Sequence, residues 1–296
     1  MKNYKDVMNV AVVNFKVDAG QKENNLRRID EFSVAAAKRG ADLVVFPELS
    51  LTGYDYFIDD NISLDEKKAM AETIAGPACV HIAKTAQKHG VYIVFGMAEN
   101  VSDKLYNSAV AIGPNGVIGS YKKIHPFDSE NKFFAKGEAP FMFDTEWGPV
   151  SIGICYDTFQ FPELMRHYVA KGSRLYLNPT AVVEEIGKEG SRQAFIDYYA
   201  PTLEYGVLCN TIFIASSNLT GFDNTHYFGG GSAVLGPKIT PFFETNMTYY
   251  AGNKDNVQEE LIIGTIDLSL AKRRLMDDSG AAGEPDYRPE LYRNFI

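Results

Sequence analysis

Cys155 ends an apolar run, PVSIGI, and stands just before Tyr-Asp and a Phe-Pro-Glu. Glu48 follows the apolar run ADLVVF by two residues, and Lys122 and Lys123 close the run VIGSY. In open α/β sheets, reactive groups gather where strands end and loops begin. A thiol, a carboxylate and an ammonium brought together there suit acyl transfer. The thiol attacks a carbonyl carbon, the carboxylate shuttles the thiol's proton, and the ammonium steadies the oxyanion. No histidine is needed.

Each residue alone has a plainer role open to it. Glu48 could cap a helix or face water. Cys155 could be a small buried hydrophobe. Adjacent lysines are commonly solvated, and on an extended segment Lys122 and Lys123 point to opposite faces, so at most one faces a given site. It is the joint pattern that points to chemistry.

The elements that must position these residues recur along the chain as a helix, a glycine stop and an apolar strand. ENNLRRIDEFSVAAAKRG carries Leu26, Ile29, Ser33, Ala36 and Ala37 on one stripe, and ADLVVF follows it. GPACVHIAKTAQKHG precedes VYIVFGMAE, and PELMRHYVAKG precedes SRLYLNPTA. A further helix, roughly 191 to 206, leads into LCNTIFIASSN. Two hairpins interrupt the pattern, one at Pro-Asn-Gly in SAVAIGPNGVIGSYKK and one around Gly-Pro-Lys in GGSAVLGPKITPFF. The expected fold is therefore α/β with mixed sheets covered by helices, in one domain over residues 1–296. From about residue 275 the chain reads as an irregular tail, on the surface or against a partner subunit.

FPELSLTGY, YKKIHPF and GICYDTFQFPE, in that order, resemble the three signature segments of the nitrilase superfamily of carbon–nitrogen hydrolases. FGGGSAVLGP resembles that family's late Gly-Ser hairpin. The resemblance implies a four-layer α-β-β-α sandwich, paired into a homodimer or higher oligomer through helices near the cysteine. Tyr198, Tyr199 and Tyr205 suit such an interface or the core. It also implies Glu48 as general base, Lys123 (two places before the histidine of K-x-H) as oxyanion donor, Cys155 as nucleophile, and the Tyr156 N–H as second oxyanion donor. Glu130, with Gly137 downstream, fits the family's second glutamate; Glu138 and Asp128 are the nearby alternatives. No metal or organic cofactor enters this chemistry.

True nitrilases carry Trp-Glu after the cysteine, where this chain has Tyr156 and Asp157. Nitrile hydrolysis is thereby disfavoured. Carbamoyl-amino-acid hydrolases carry arginine shortly after the cysteine, where this chain has Thr158, Phe159 and Gln160. Arg166 or Arg192 could supply a carboxylate anchor from elsewhere. The first reading is an amidase that cleaves a small non-peptide amide and releases ammonia through a thioester. The second is an N-carbamoyl amine or carbamoyl amino acid amidohydrolase. A binding protein on the same fold stands behind both. Tyr54, Phe159, Thr180 and Ala181 are the candidate substrate-pocket residues.

The bulk properties narrow the partners. A formal net charge of −9 argues against nucleic acid or an anionic membrane. No apolar run reaches the roughly 18 residues of a membrane span. MKNYKDVMNVAVVNF lacks a signal peptide's long apolar region and reads as a first strand. Cys79, Cys155 and Cys209 are widely spaced with no CxxC pair, which fits a reduced, cytoplasmic protein and no zinc site.

Overall fold

The computed structural model describes residues 4–238, 246–273 and 287–292. Its two six-stranded sheets lie face to face with helices on their outer sides.

The first sheet begins with β1 (Val7–Asn14), and α1 (Lys22–Lys38) crosses over to the parallel β2 (Leu43–Val45). The short helices α2 (Tyr54–Ile58) and α3 (Leu64–Met70) and the longer α4 (Pro77–His89) return the chain to β3 (Tyr92–Val101), parallel to β2. β4 (Lys104–Gly113) and β5 (Gly116–Lys122) add an antiparallel hairpin that turns at Pro114-Asn115. A 3-10 turn at Asp128–Lys132 leads to the second sheet. There β6 (Met142–Thr145) and β7 (Gly148–Ile152) form a hairpin, followed by α5 (Tyr156–Gln160), α6 (Pro162–Ala170) and the parallel β8 (Leu175–Thr180). α7 (Ser191–Asn210) connects to β9 (Phe213–Asn218), also parallel. A ribbon of β10 (Thr220–Asp223) and β11 (His226–Gly229) precedes β12 (Ala233–Lys238) and β13 (Asn246–Gly252), and β14 (Glu260–Asp267) returns to pair with β1. The orders are β14-β1-β2-β3-β4-β5 and β13-β12-β9-β8-β7-β6.

Strand alternation explains the layering. Successive side chains point to opposite faces. Val10 and Val12 of β1 enter the core between the sheets, with Ile152, Leu177, Ala215 and Val234 of the second sheet. Ala11 and Val13 of the same strand face outward, with Ile29 of α1 and Ile82 of α4. Fully burying a side chain such as Val or Ile contributes about 1.5–3 kcal/mol. A register slip of one residue in β1 would exchange the two faces. α6 and α7 cover the far face of the second sheet through Leu164, Tyr168, Leu203 and Val207.

Two expectations change in detail. Gly236, Pro237 and Lys238 are not a turn but the end of β12, paired with Thr248, Met247 and Asn246. Pro237 is tolerated because β9 pairs only with Ala233–Leu235, so on that side no ladder N–H is needed from it. The residues that join β12 to β13, like most of the expected tail from 275, lie outside those described. The helix expected over 191–206 runs on to Asn210, which puts Cys209 on helix rather than at the strand start. Among the described residues no helix is long and apolar enough to cross a membrane.

Candidate active site

Glu48 lies on the loop that leaves β2 and is fully buried. Its loop sits hard against β3. A Cβ on Gly96 would fall 2.3 Å from Leu49 N and 2.5 Å from Pro47 O, so only glycine admits this approach. Ser50 and Leu51 tie the loop to the Gly96 backbone. Leu49 pays with a positive φ of 48°.

Lys123 follows β5 directly. Its N–H donates to the Asn107 carbonyl of β4 at 2.8 Å, and its side chain is 1% exposed. Lys122, its neighbour, goes the other way, to 3.4 Å from Glu99. Lys123 Nζ donates to Glu48 Oε1 at 2.6 Å and to Glu130 Oε1 and Oε2 at 2.8 and 3.0 Å. Glu130 comes from the 3-10 turn, fully buried. Gly137 packs on the same arm: its N–H donates to the Lys123 carbonyl at 2.8 Å, and a Cβ there would meet Lys122 O at 2.1 Å.

Cys155 sits at the elbow between β7 and α5 with φ 45° and ψ −104°. Backbone strain of this kind persists only where the surroundings hold it. Here the Cys155 N–H donates to the Pro179 carbonyl at 3.0 Å and the Ile154 N–H to Asp157 Oδ2 at 3.0 Å. The thiol lies close enough to Glu48 and Lys123 for their charges to act on it. Tyr156 opens α5, so its N–H has no partner within the helix.

The electrostatics follow from burying two carboxyls and one ammonium together. Burial raises the Glu48 carboxyl to about 7, with Lys123 working against the shift and Glu130 with it. Burial opposes the Lys123 ammonium, but Glu130 and Glu48 outweigh it and hold that group above its ordinary value. Burial, then the Glu48 charge, pushes the Cys155 thiol up; Lys123, the Thr180 hydroxyl and the Ala181 N–H pull the other way.

A cavity of about 320 Å³ opens over the cysteine. Tyr54, Phe159 and Ala181 line it, and Thr180 lies fully buried behind the wall. Tyr54 also donates its hydroxyl to Glu130 Oε1 at 2.7 Å. Phe127, Val182, Val183, Tyr198 and His226 complete most of the wall. His226 comes from the β10–β11 ribbon, and Asp55 of α2 holds its Nδ1 at 2.5 Å.

Several contributors were not singled out from the sequence. Asn107 donates to Glu48 Oε1 at 2.7 Å and to Glu130 Oε2 at 3.2 Å, bridging the two carboxyls. An asparagine inside the apolar strand LYNSAVAIG was the available signal. Phe127 and His226 carry no such signal, because remote loops bring them to the wall. Neither arginine considered as an anchor reaches the cavity. Arg166 donates to the Cys209 carbonyl, and Arg192 to Glu184, Gly229 and Lys254. Tyr199 is core, bonded to Ser216 at 2.6 Å, whereas Tyr205 is exposed.

A family model described as carbon-nitrogen hydrolase matches residues 9–274. A nitrilase of Pyrococcus abyssi is 31% identical over 97% of this chain and 99% of its own. An omega-amidase of Xenopus tropicalis is 32% identical over 83% of this chain and 84% of its own. Among solved structures, an amidase from Nesterenkonia sp. matches with a TM-score of 0.72 at 22% identity, over 100% of this chain and 99% of that one, which speaks for the fold. With the motifs, the two facing sheets and these matches in agreement, the chain belongs to the carbon-nitrogen hydrolase family of the nitrilase superfamily.

Proposed function

We propose that this carbon-nitrogen hydrolase is a cysteine-dependent amidase that cleaves a small non-peptide amide and releases ammonia. One observation carries the reading: a buried Glu48–Lys123–Glu130 cluster is joined, through the Tyr54 hydroxyl, to the small cavity that a strained Cys155 lines.

In this reading Cys155 Sγ attacks the amide carbon while Glu48 takes the thiol proton. Glu48 Oε2 has no hydrogen-bond partner among the described residues and is the oxygen available for it. A carboxyl held at about 7 is well matched to a proton shuttle near neutrality. Lys123 Nζ and the Tyr156 N–H receive the oxyanion; one such donor typically stabilises the transition state by about 3–4 kcal/mol. Glu48 returns the proton to the departing nitrogen, and ammonia leaves. Water, deprotonated by Glu48, then attacks the thioester and frees the acid and the thiol. Glu130, Tyr54 and Asn107 hold the lysine and the base in place. In these steps every protein group is a side chain or backbone N–H of this chain, and the one further reactant is water.

The cavity supports a small substrate. About 320 Å³ is at the low end for ligand pockets, and its wall is largely aromatic and aliphatic. Both arginines considered as anchors are engaged elsewhere, and among the described residues no guanidinium lines the cavity, which favours a simple amide over a carbamoyl amino acid. The N-carbamoyl amine hydrolase is the second reading: the same attack would release ammonia first, then an amine and carbon dioxide.

An ammonia-release screen over primary amides, carbamoyl amines, carbamoyl amino acids and nitriles tests this, with product analysis separating acid from amine. Cys155→Ala should abolish turnover; full activity in that variant would refute the assignment. We further propose one domain across the chain and a homo-oligomer formed through α6 and α7, where Tyr205 and Leu208 are exposed. Light scattering tests the assembly.

A further inference from the structure

Asp157 takes no part in the steps above, yet it is fully buried between the segments that perform them. Its Oδ2 accepts from the Ile154 N–H at 3.0 Å and from the Tyr121 hydroxyl at 2.8 Å. Its Oδ1 accepts from the His125 N–H at 3.0 Å and lies 2.8 Å from His125 Nδ1, which donates in the matching tautomer. A carboxylate offers about four acceptor positions. All are used.

The places of the donors give the pattern meaning. Ile154 is the residue before Cys155. Tyr121 and His125 stand two residues to either side of Lys123. His125 is fixed further by stacking on Phe161, with ring centres 3.5 Å apart and 8° between planes.

The nucleophile and the oxyanion lysine belong to different sheets, and among the described residues the backbone pairing between those sheets is an isolated bridge, Phe15 with Leu219, not a ladder. The Lys123 arm bonds back to its own sheet through Asn107. The Cys155 elbow bonds back to its own sheet through Leu177 and Pro179. Asp157 ties one to the other beside the reacting atoms. We propose that Asp157 is a positioning residue that sets the spacing between the Cys155 thiol and the Lys123 ammonium by clasping the elbow of one sheet to the lysine arm of the other. The proposal rests on the roles given to Cys155 and Lys123 above.

Asp157→Asn tests it. The amide keeps the shape but turns one acceptor oxygen into an NH2 group that must face donors on one side. A displacement near 1 Å typically costs about 100-fold in rate, so kcat should fall by that order with KM little changed. Alkylation of Cys155 by iodoacetamide should slow as well. That readout needs no substrate, so it separates this proposal from the amidase reading: wild-type protein that turns over no amide would sink the latter alone. Tyr121→Phe should lower kcat in the wild-type background and cause no further loss in Asp157→Asn, because both act through one carboxylate. Two results would overturn the proposal: Asp157→Asn with a lowered Tm but wild-type kcat and alkylation rate, or losses from the two changes that multiply. If Asp157→Asn does not fold, Tyr121→Phe decides, and unchanged kcat and alkylation in that variant refute it.

Discussion

Glu48→Gln separates the chemistry of the proposed base from the stability of the cluster. In the native chain two carboxyls and one ammonium are buried together, so with all three ionised the cluster carries excess negative charge. Burial is the main cause of the rise in the Glu48 carboxyl from 4.5 to about 7. Below pH 4.5 the carboxyl is protonated in both the folded and the unfolded chain and adds no pH dependence. Between 4.5 and 7 the unfolded chain gives up the proton while the folded one keeps it. Stability therefore falls as pH rises through that window, and above 7 the full penalty is present. At about 1.4 kcal/mol per pKa unit the penalty is about 3 kcal/mol. Glutamine cannot ionise, retains an acceptor for Lys123 and Asn107, and leaves a neutral Lys123–Glu130 pair. Denaturant unfolding of both proteins from pH 4 to pH 8 checks the reasoning. The variant should gain about 3 kcal/mol on the wild type across that range, whatever fixed offset the swap introduces. Turnover should meanwhile fall by about 100-fold or more, the typical worth of a positioned acid–base. A stability difference that stays constant with pH would refute the account of a strained, burial-raised carboxyl.

The remaining expectations use the same geometry. In the proposed mechanism Glu48 must be ionised to accept the thiol proton, so kcat/KM should rise with pH to a plateau along an acid limb near 7; a limb near 4.5 would contradict the burial effect. Lys123→Met should abolish turnover and destabilise the fold by about 3–5 kcal/mol near neutral pH, as for a buried pair deprived of one partner, measured by urea unfolding. Gly96→Ala should cost about 1–3 kcal/mol through overpacking and lower kcat by shifting the Glu48 loop, since the new methyl would meet backbone rather than a movable side chain.

The sequence by itself determined the order of elements and the places where reactive residues leave them. Apolar runs marked β2, β5 and β7, and Glu48, Lys123 and Cys155 stand at or just past their ends. Those features are local: periodicity, turn residues and motif spacing are written in neighbouring positions. The Pro-Asn turn between β4 and β5 was legible for that reason. The Gly-Pro in β12 misled for the complementary one, because whether a proline ends a strand depends on which neighbour pairs with it, and that neighbour is β9, nearly twenty residues earlier by chain order and adjacent only in space.

The tertiary structure alone decided which residues face one another. Asn107 bridges two carboxyls because β4 lies beside β5. Arg166 and Arg192 turn away from the cavity to serve backbone carbonyls. His226 reaches the wall from a distant ribbon, and Asp157 joins two sheets through donors on both. The level of the Glu48 carboxyl is likewise set by the packing around it, since desolvation has no meaning along an isolated chain. Residue type and spacing named a thiol, an ammonium and one carboxyl, and the family resemblance added Glu130; the packing of one sheet on the other decided their distances, their charges and the size of the space above them.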